Sequence, residues 1–185
     1  QFLKTSLAAG VGLTLPRKAI RAAAAGPIGA NDAIRVAVIG MGGTDTVGGV
    51  GGRGHQLIGS LLQVPGVRIA ALCDVDPAFL RREAQPLKDK GHEVTTHADM
   101  RRVFDDKSID AVVIATPNHW HGLATVWACQ AGKDVYVEKP FSHNLWEGRQ
   151  MVAAARKYGR MVQTGTQNRS SALLRRAFDE LRGGV

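Results

Sequence analysis

Ile34-Arg35-Val36-Ala37-Val38-Ile39 passes directly into Gly40-Met41-Gly42-Gly43. A short, nearly continuous apolar run suits a strand covered on both faces, as in a parallel sheet. Glycine at its end answers a steric demand. The chain must turn tightly there, and a side chain would hold a phosphate away from the N-terminus of the next helix. That helix reads from Arg53 to Leu62. Between turn and helix lies the stretch Thr44 to Gly52. The spacing Gly-x-Gly-x-x-Gly is complete at Gly49, Gly51 and Gly54, and its first two glycines also occur at Gly40 and Gly42. Without residues 44–52, Gly40-Met41-Gly42-Gly43 would meet Arg53-Gly54-His55 as one contiguous fingerprint. The stretch therefore reads as a glycine-rich insertion, with Gly40, Gly42, Gly43, Arg53 and Gly54 on the phosphate side. Glycines alone would equally suit a flexible loop.

The chain after this junction alternates β-branched runs with helix-like segments. Val67 to Cys73 is a second strand ending in Asp74, and Asp76-Pro77 supplies an N-cap and first-turn proline for a helix running toward Gly91. Glu93 to Thr95 reads as a short third strand and Asp99 to Phe104 as a short helix. Ala111 to Ala115 is a fourth strand, followed by a helix from Trp120 to Ala131 closed by Gly132. Val135 to Val137, a helix from Asn144 to Tyr158 ended by Gly159, and Met161 to Thr164 complete the series. Strict β–α alternation implies a doubly wound parallel sheet of α/β class with right-handed crossovers, the Rossmann architecture. Ligands of such sheets lie beyond the carboxyl ends of the strands.

Asp74 lifts the glycine pattern above a generic loop. It follows the second strand about twenty residues beyond Gly54, where an acid accepts hydrogen bonds from the adenosine ribose hydroxyls. A carboxylate at that point repels a 2′-phosphate, so NAD is expected in preference to NADP. Asp76 is the rival acid and is expected to cap the helix instead.

Composition narrows the class. The 185 residues carry a formal net charge of +8, with 44% hydrophobic residues, 22 glycines and 5% aromatics. Part of that charge sits in residues 1–32, where Lys4, Arg17, Lys18 and Arg21 face only Asp32. The rest is dispersed in pairs such as Arg81/Arg82, Arg101/Arg102 and Arg175/Arg176, which suit solvated helix faces. No aromatic stacking platform or groove-reading helix accompanies it, so no nucleic-acid partner is expected. Cys73 and Cys129 lack metal-ligand spacing and read as buried packing residues. No stretch after residue 33 is long and apolar enough for a membrane span. Near the start, Leu7 to Leu15 followed by Pro16 and Ala22 to Ala25 reads as the apolar core and small-residue tail of a secretory signal. Phe2-Leu3-Lys4 is similar to the segment that follows the arginine pair of a twin-arginine export signal, and periplasmic or exported localisation is the expectation. An ordinary amphipathic helix is the alternative.

Three later segments add chemistry: Ala115-Thr116-Pro117-Asn118-His119-Trp120-His121, Val137-Glu138-Lys139-Pro140, and Gln163-Thr164-Gly165-Thr166-Gln167-Asn168-Arg169. Together with the glycine turn they resemble the Gfo/Idh/MocA oxidoreductases, named for glucose–fructose oxidoreductase and inositol dehydrogenase. The resemblance runs from about Ile34 to the end of the chain. It implies that Lys139 approaches the substrate carbon beside the nicotinamide as the catalytic residue, relaying a proton or positioning the substrate. It implies that Glu138 orients Lys139 or contacts the cofactor, and that the bond before Pro140 is cis. It also implies that Thr116, Pro117, Asn118 and His119 form a turn under the nicotinamide riboside. Gln167 and Arg169 suit either the substrate side or a helix entry. His119 and His121 could be read as two metal ligands, but no third ligand has suitable spacing, so no metal site is expected.

The resemblance further implies a second α/β domain that covers the nicotinamide and holds a sugar or polyol, and a homo-oligomeric parent protein. Residues 1–32 are then a signal remnant and linker and 33–168 the dinucleotide-binding domain. Residues 169–185, with an amphipathic pattern at Leu173, Leu174, Ala177, Phe178 and Leu181, are a helix leading into the substrate domain. Reversible hydride transfer is the implied activity of the parent, with this chain alone expected to be inactive. An NAD-dependent glycosidase and a non-catalytic nucleotide-binding module are the alternatives.

Overall fold

The computed structural model of the chain describes residues 33–42 and 52–184. The expected export segment in 1–32, Gly43, and most of the expected insertion lie outside the described residues.

Six strands form one parallel sheet: β1 (Ile34–Ile39), β2 (Val67–Cys73), β3 (Thr95–His97), β4 (Ala111–Ile114), β5 (Asp134–Glu138) and β6 (Val162–Gly165). Their spatial order is β3-β2-β1-β4-β5-β6, and every neighbouring pair is parallel. The chain winds outward one way from β1 through β2 to β3, then crosses back to β4 and winds the other way. β1 therefore sits at the switch point, where a doubly wound sheet opens a crevice at its carboxyl edge.

Burial of β1 on both faces explains its continuous apolar run. Ala37 and Ile39 join a cluster with Val103, Phe104, Ala124, Ala128 and Met151 from the helices α3 (Met100–Asp105), α4 (His121–Gln130) and α5 (Leu145–Tyr158). Val36 and Val38 point the other way, to Leu57, Ile58, Leu80 and Leu87 of α1 (Arg53–Leu61) and α2 (Pro77–Asp89). Adjacent side chains of a strand point to opposite faces, so both sheet faces are apolar and both are covered. Each fully buried Val, Ile or Leu contributes about 1.5–3 kcal/mol to this core. Cys73 and Cys129 are free and buried within it. Burial, with Asp74 and Asp99 nearby, pushes the Cys73 thiol up to about 12, so it packs as a neutral group.

The β1–β2 register carries one irregularity with consequences for the site. Val36 pairs with Ile69 but Ala37 pairs with Ala71, leaving Ala70 as the extra residue of a bulge. Ile69 therefore joins the cluster of α1 and α2, while Ala71 and Cys73 join the one on the opposite face, where α3 lies against β2. Carried one residue beyond the Ile39–Cys73 pair, the register brings Asp74 rather than Cys73 opposite Gly40.

Helix ends follow their caps. Asp76 accepts from the amide of Ala78 at 2.7 Å, as a cap should, and Asp99 and Asn144 cap α3 and α5 in the same way. Gly159 closes α5 with φ 61°. Some boundaries differ from the sequence reading. The third strand is Thr95–His97 rather than Glu93–Thr95, because pairing with Ala71–Cys73 begins after Val94, whose side chain is buried without joining the ladder. The strand before Lys139 extends to Glu138, and a 3-10 turn at Asn118–Trp120 precedes α4, which starts at His121 rather than Trp120. A second 3-10 turn, Gln167–Ser170, leads to α6 (Ala172–Arg182), which buries none of its residues. No helix among the described residues is long and apolar enough to cross a membrane.

Lys133, only 3% exposed, holds the lower edge of the sheet together. Its Nζ donates to the carbonyls of Asp106 and Ile109, closing the loop between α3 and β4. Lys133→Met keeps the stem and strands two buried acceptors. Urea unfolding should show a loss of about 2 kcal/mol.

Candidate functional site

The carboxyl edge around β1 is organised by close backbone approach. Gly40 has φ +84°, and a Cβ there would lie 2.7 Å from the Thr116 amide nitrogen at the end of β4. Gly54, in the first turn of α1, is tighter still: its Cβ would lie 2.0 Å from the Gly40 carbonyl oxygen. Gly40, which opens one of the two glycine registers, thus stacks on the third glycine, while Gly49 and Gly51 of the other lie outside the described residues. Gly42 is also left-handed, at φ 64°. Gly52, expected within the insertion, is instead buried at the N-cap of α1 with φ 71°. A glycine N-cap brings no side-chain oxygen, so the cap residue itself takes none of the first amides of α1.

Asp74 braces this turn. One carboxylate oxygen accepts from the Met41 amide at 2.8 Å and the other from the Asp76 amide at 3.0 Å. Each oxygen keeps a further lone pair, so the carboxylate can hold the turn and still accept from a ligand hydroxyl. Arg82 of α2, expected with Arg81 on a solvated helix face, instead donates to the Gly42 carbonyl at 3.1 Å and pairs with Glu83 at 2.7 Å.

Arg53 and Glu138 meet across the site. Arg53 Nε lies 2.8 Å from Glu138 Oε1, joining the first turn of α1 to the end of β5. Glu138 is 3% exposed, and its oxygens also accept from the Tyr136 hydroxyl at 3.3 Å and the Lys139 amide at 3.2 Å. Desolvation lowers the Arg53 pKa, but the hydrogen bond and charge of Glu138 outweigh it and the net shift is upward. Tyr136 is pushed up by burial and by Glu138. Glu138 therefore orients the start of the Lys139 turn while its carboxylate is engaged by the protein. Tyr136 was legible in principle, since residues two apart on a strand share a face. Gly165 on β6 leaves the room this cluster needs, because a Cβ there would meet the Tyr136 hydroxyl at 2.7 Å.

Lys139 is exposed and follows β5 directly, with a cis bond to Pro140. Asn118 and His119 lie in the 3-10 turn after Pro117. His119 is exposed, with its ring 6.2 Å from that of Trp120. His121 is 2% exposed, and its two ring nitrogens face the carbonyls of Pro140 and Thr116. That geometry occupies both nitrogens and removes His121 from the two-histidine metal reading. Among the described residues no group of three His, Cys, Asp or Glu is arranged to hold a metal ion. Gln167 and Arg169 are exposed in the second 3-10 turn, beyond β6.

The Thr116 hydroxyl is enclosed at the end of β4 and, like the Thr125 hydroxyl inside α4, has no hydrogen-bond partner among the described residues. What distinguishes Thr116 from Thr125 is its place at the carboxyl edge of the sheet, where a bound group could take up the hydroxyl. This orphan, the left-handed glycines and the spare lone pairs of Asp74 fit a dinucleotide laid across the switch point. Gly40, Gly42 and the first amides of α1 would face the pyrophosphate, Asp74 the adenosine ribose, and the Thr116–His119 turn the nicotinamide side.

Comparison with known proteins agrees with this geometry. The chain belongs to the GFO_IDH_MocA family, an oxidoreductase family with an NAD-binding Rossmann fold, whose model matches residues 34–166. It is 34% identical over 152 residues to inositol 2-dehydrogenase 1 of Saccharopolyspora erythraea, covering 79% of this chain and 41% of that protein. It is 32% identical over 167 residues to a glycosyl hydrolase family 109 protein of the same organism, covering 79% of this chain and 34% of that one. The crystal structure of myo-inositol 2-dehydrogenase from Lactobacillus plantarum superposes with a TM-score of 0.67 at 26% identity, covering 82% of this chain and 42% of that structure. The chain thus spans less than half the length of each of these relatives.

Gly54→Ala tests the close approach directly. The added methyl group would meet a backbone oxygen at 2.0 Å, so α1 must move off the sheet. The variant should lose at least about 2 kcal/mol in denaturant unfolding, whereas Gly59→Ala, with open space at its Cβ, should gain a few tenths from helix propensity.

Proposed function

We propose that this chain is the cofactor-holding part of an oxidoreductase that moves a hydride between NAD and a carbon of a sugar or polyol. The observation that carries the reading is the left-handed glycine turn at the switch point of the sheet, braced by Asp74 and flanked by an enclosed Thr116 hydroxyl that has no partner among the described residues. When bound, NAD supplies the hydride acceptor, and the protein supplies orientation and proton handling. Asp74 holds the adenosine ribose and disfavours a 2′-phosphate, which makes NAD the expected partner over NADP. Lys139, exposed at the carboxyl end of β5, points the chemistry toward the substrate side. Its amino group positions the substrate oxygen, taking the hydroxyl proton as the neutral amine when the carbon is oxidised and returning it from the ammonium when the carbon is reduced. Glu138 and the Pro140 turn set the backbone from which Lys139 acts.

The inositol 2-dehydrogenase relative supports the polyol reading. The glycosyl hydrolase relative supports a second one, in which the cofactor is reduced and re-oxidised within one turnover while a glycosidic bond is cleaved. The two differ in stoichiometry. A dehydrogenase accumulates one reduced cofactor per oxidised alcohol, whereas the hydrolase releases sugar without net NADH. Export is proposed for residues 1–32 on the strength of the Phe2-Leu3-Lys4 resemblance and the apolar run that follows.

Calorimetric titration of NAD and NADP into the chain should favour NAD, and Asp74→Ala should lower NAD affinity by about 1–3 kcal/mol. Equal affinity of the unmodified chain for both cofactors would sink the assignment of Asp74. Thr116→Val separates ligand binding from folding. Removing an unpaired hydroxyl should leave the ligand-free protein as stable or slightly more so, while NAD affinity falls by about 0.5–1.5 kcal/mol. Unchanged affinity would mean that the hydroxyl does not meet the cofactor.

A further inference from the structure

Two glycines stand in the first turns of neighbouring helices, Gly122 in α4 and Gly148 in α5. Neither has a positive φ, and a helix gives glycine no advantage over alanine. What each provides is room. A Cβ at Gly148 would lie 2.8 Å from Cζ and 3.0 Å from Cε2 of Phe141, and 3.1 Å from the Ser142 hydroxyl oxygen. A Cβ at Gly122 would lie 3.0 Å from both Cβ and Oε2 of Glu147. Phe141 and Ser142 follow the Lys139-Pro140 turn directly, and Glu147 stands in the first turn of α5. Both glycines thus make space for one segment, residues 141–147.

Phe141 is 41% exposed and belongs to neither core cluster. Stabilisation from an apolar side chain scales with the area it buries, so a ring left half in water contributes little for its size. Its close fit against α5 serves position instead. The segment is also tied at its far end. Glu147 accepts from the His143 amide at 3.1 Å and from Asn144 Nδ2 at 3.1 Å, and Asn144 accepts from the Glu147 amide at 2.9 Å. With residues 143 and 144 fixed to α5, a push on Phe141 is not absorbed downstream and passes back to Lys139. There the amide is held by Glu138 at 3.2 Å, a long bond that a small displacement breaks.

We propose that Phe141 is a positioning residue: its ring, seated on Gly148, fixes where the Lys139-Pro140 turn stands at the carboxyl edge of the sheet. The chemical use of that placement rests on the role proposed for Lys139; the seat itself does not. Seating matters because a misplacement of about 1 Å at a reacting group costs about a hundredfold in rate.

The test uses the ligand-free 185-residue chain, with the backbone amide of Lys139 as reporter in proton–nitrogen spectra. Gly148→Ala places a methyl group where two consecutive residues already lie, so the segment moves and the Glu138 bond to the Lys139 amide lengthens. That amide signal should shift and its exchange with solvent should quicken about tenfold or more, while the amides of Ala37 and Val38 in β1 keep their rates. Phe141→Leu removes the ring atoms nearest Gly148, so the turn loses its seat and exchange at Lys139 should again be faster. Combined in one chain, the added methyl fills the space the ring vacated, and the Lys139 signal should return toward its original place. Gly59→Ala changes a helix glycine with open space at its Cβ and should leave Lys139 unmoved. An unmoved Lys139 amide in Gly148→Ala, or effects that simply add in the double variant, would overturn the proposal. If Gly148→Ala does not fold, Phe141→Leu decides, and unchanged exchange at Lys139 would overturn it. If the Lys139 signals behave as expected but the chain binds no NAD, the seat stands and the cofactor assignment fails.

Discussion

Backbone-to-backbone contact between Gly54 and Gly40 is the constraint on which the site depends. Helix α1 can cover β1 only if nothing larger than hydrogen stands at Gly54, because the Gly40 carbonyl occupies the space a methyl group would need. Gly40 in turn lies against the Thr116 amide, so three segments from β1, α1 and β4 are stacked with no side chain between them. Their proximity aims the first amides of α1 at the turn and leaves the Thr116 hydroxyl enclosed. Steric exclusion does here what hydrogen bonds do elsewhere in the sheet.

Around that stack, charged and polar ties hold the strand ends in fixed relation. Asp74 ties β2 to the Met41 amide, Arg53 ties α1 to Glu138 of β5, and His121 ties the β4 turn to Pro140. Each tie spans elements that are distant in sequence, and each meets a group that would otherwise be an unpaired polar atom in a crowded edge. Such a frame sets the backbone of a catalytic turn without relying on loops for rigidity. It also explains why Glu138 is so little exposed while the neighbouring Lys139 is exposed: one side chain is part of the frame and the other is carried by it.

The sheet was readable because parallel strands buried on both faces leave continuous apolar runs, and because glycines and capping acids mark the ends. Ile34–Ile39, Val67–Cys73 and the helix over Leu145–Tyr158 appear in the structure at or within a residue of their expected limits. The edge strand was harder. Thr95–His97 has no fully buried residue, so its pairing is set by where β2 ends rather than by its own pattern. At the site, Asp74, Lys139 and the Thr116–His119 turn stood out because they fall at strand ends. The contact of Arg82 with Gly42 and of His121 with Pro140 did not, since those partners lie far along the chain.

By itself, then, the order of residues determined a doubly wound sheet and the glycines and acid at the ends of its first two strands, because periodicity and steric need are local properties. The close approach of Gly54 to Gly40, and what Glu138 and His121 touch, were decided only in three dimensions. The bulge at Ala70 shows why. One extra residue in β2 carries Asp74, not Cys73, to the level of Gly40, and no local pattern in the sequence announces it. Register between strands is set by the packing of both sheet faces at once, and that balance exists only when the whole sheet has formed.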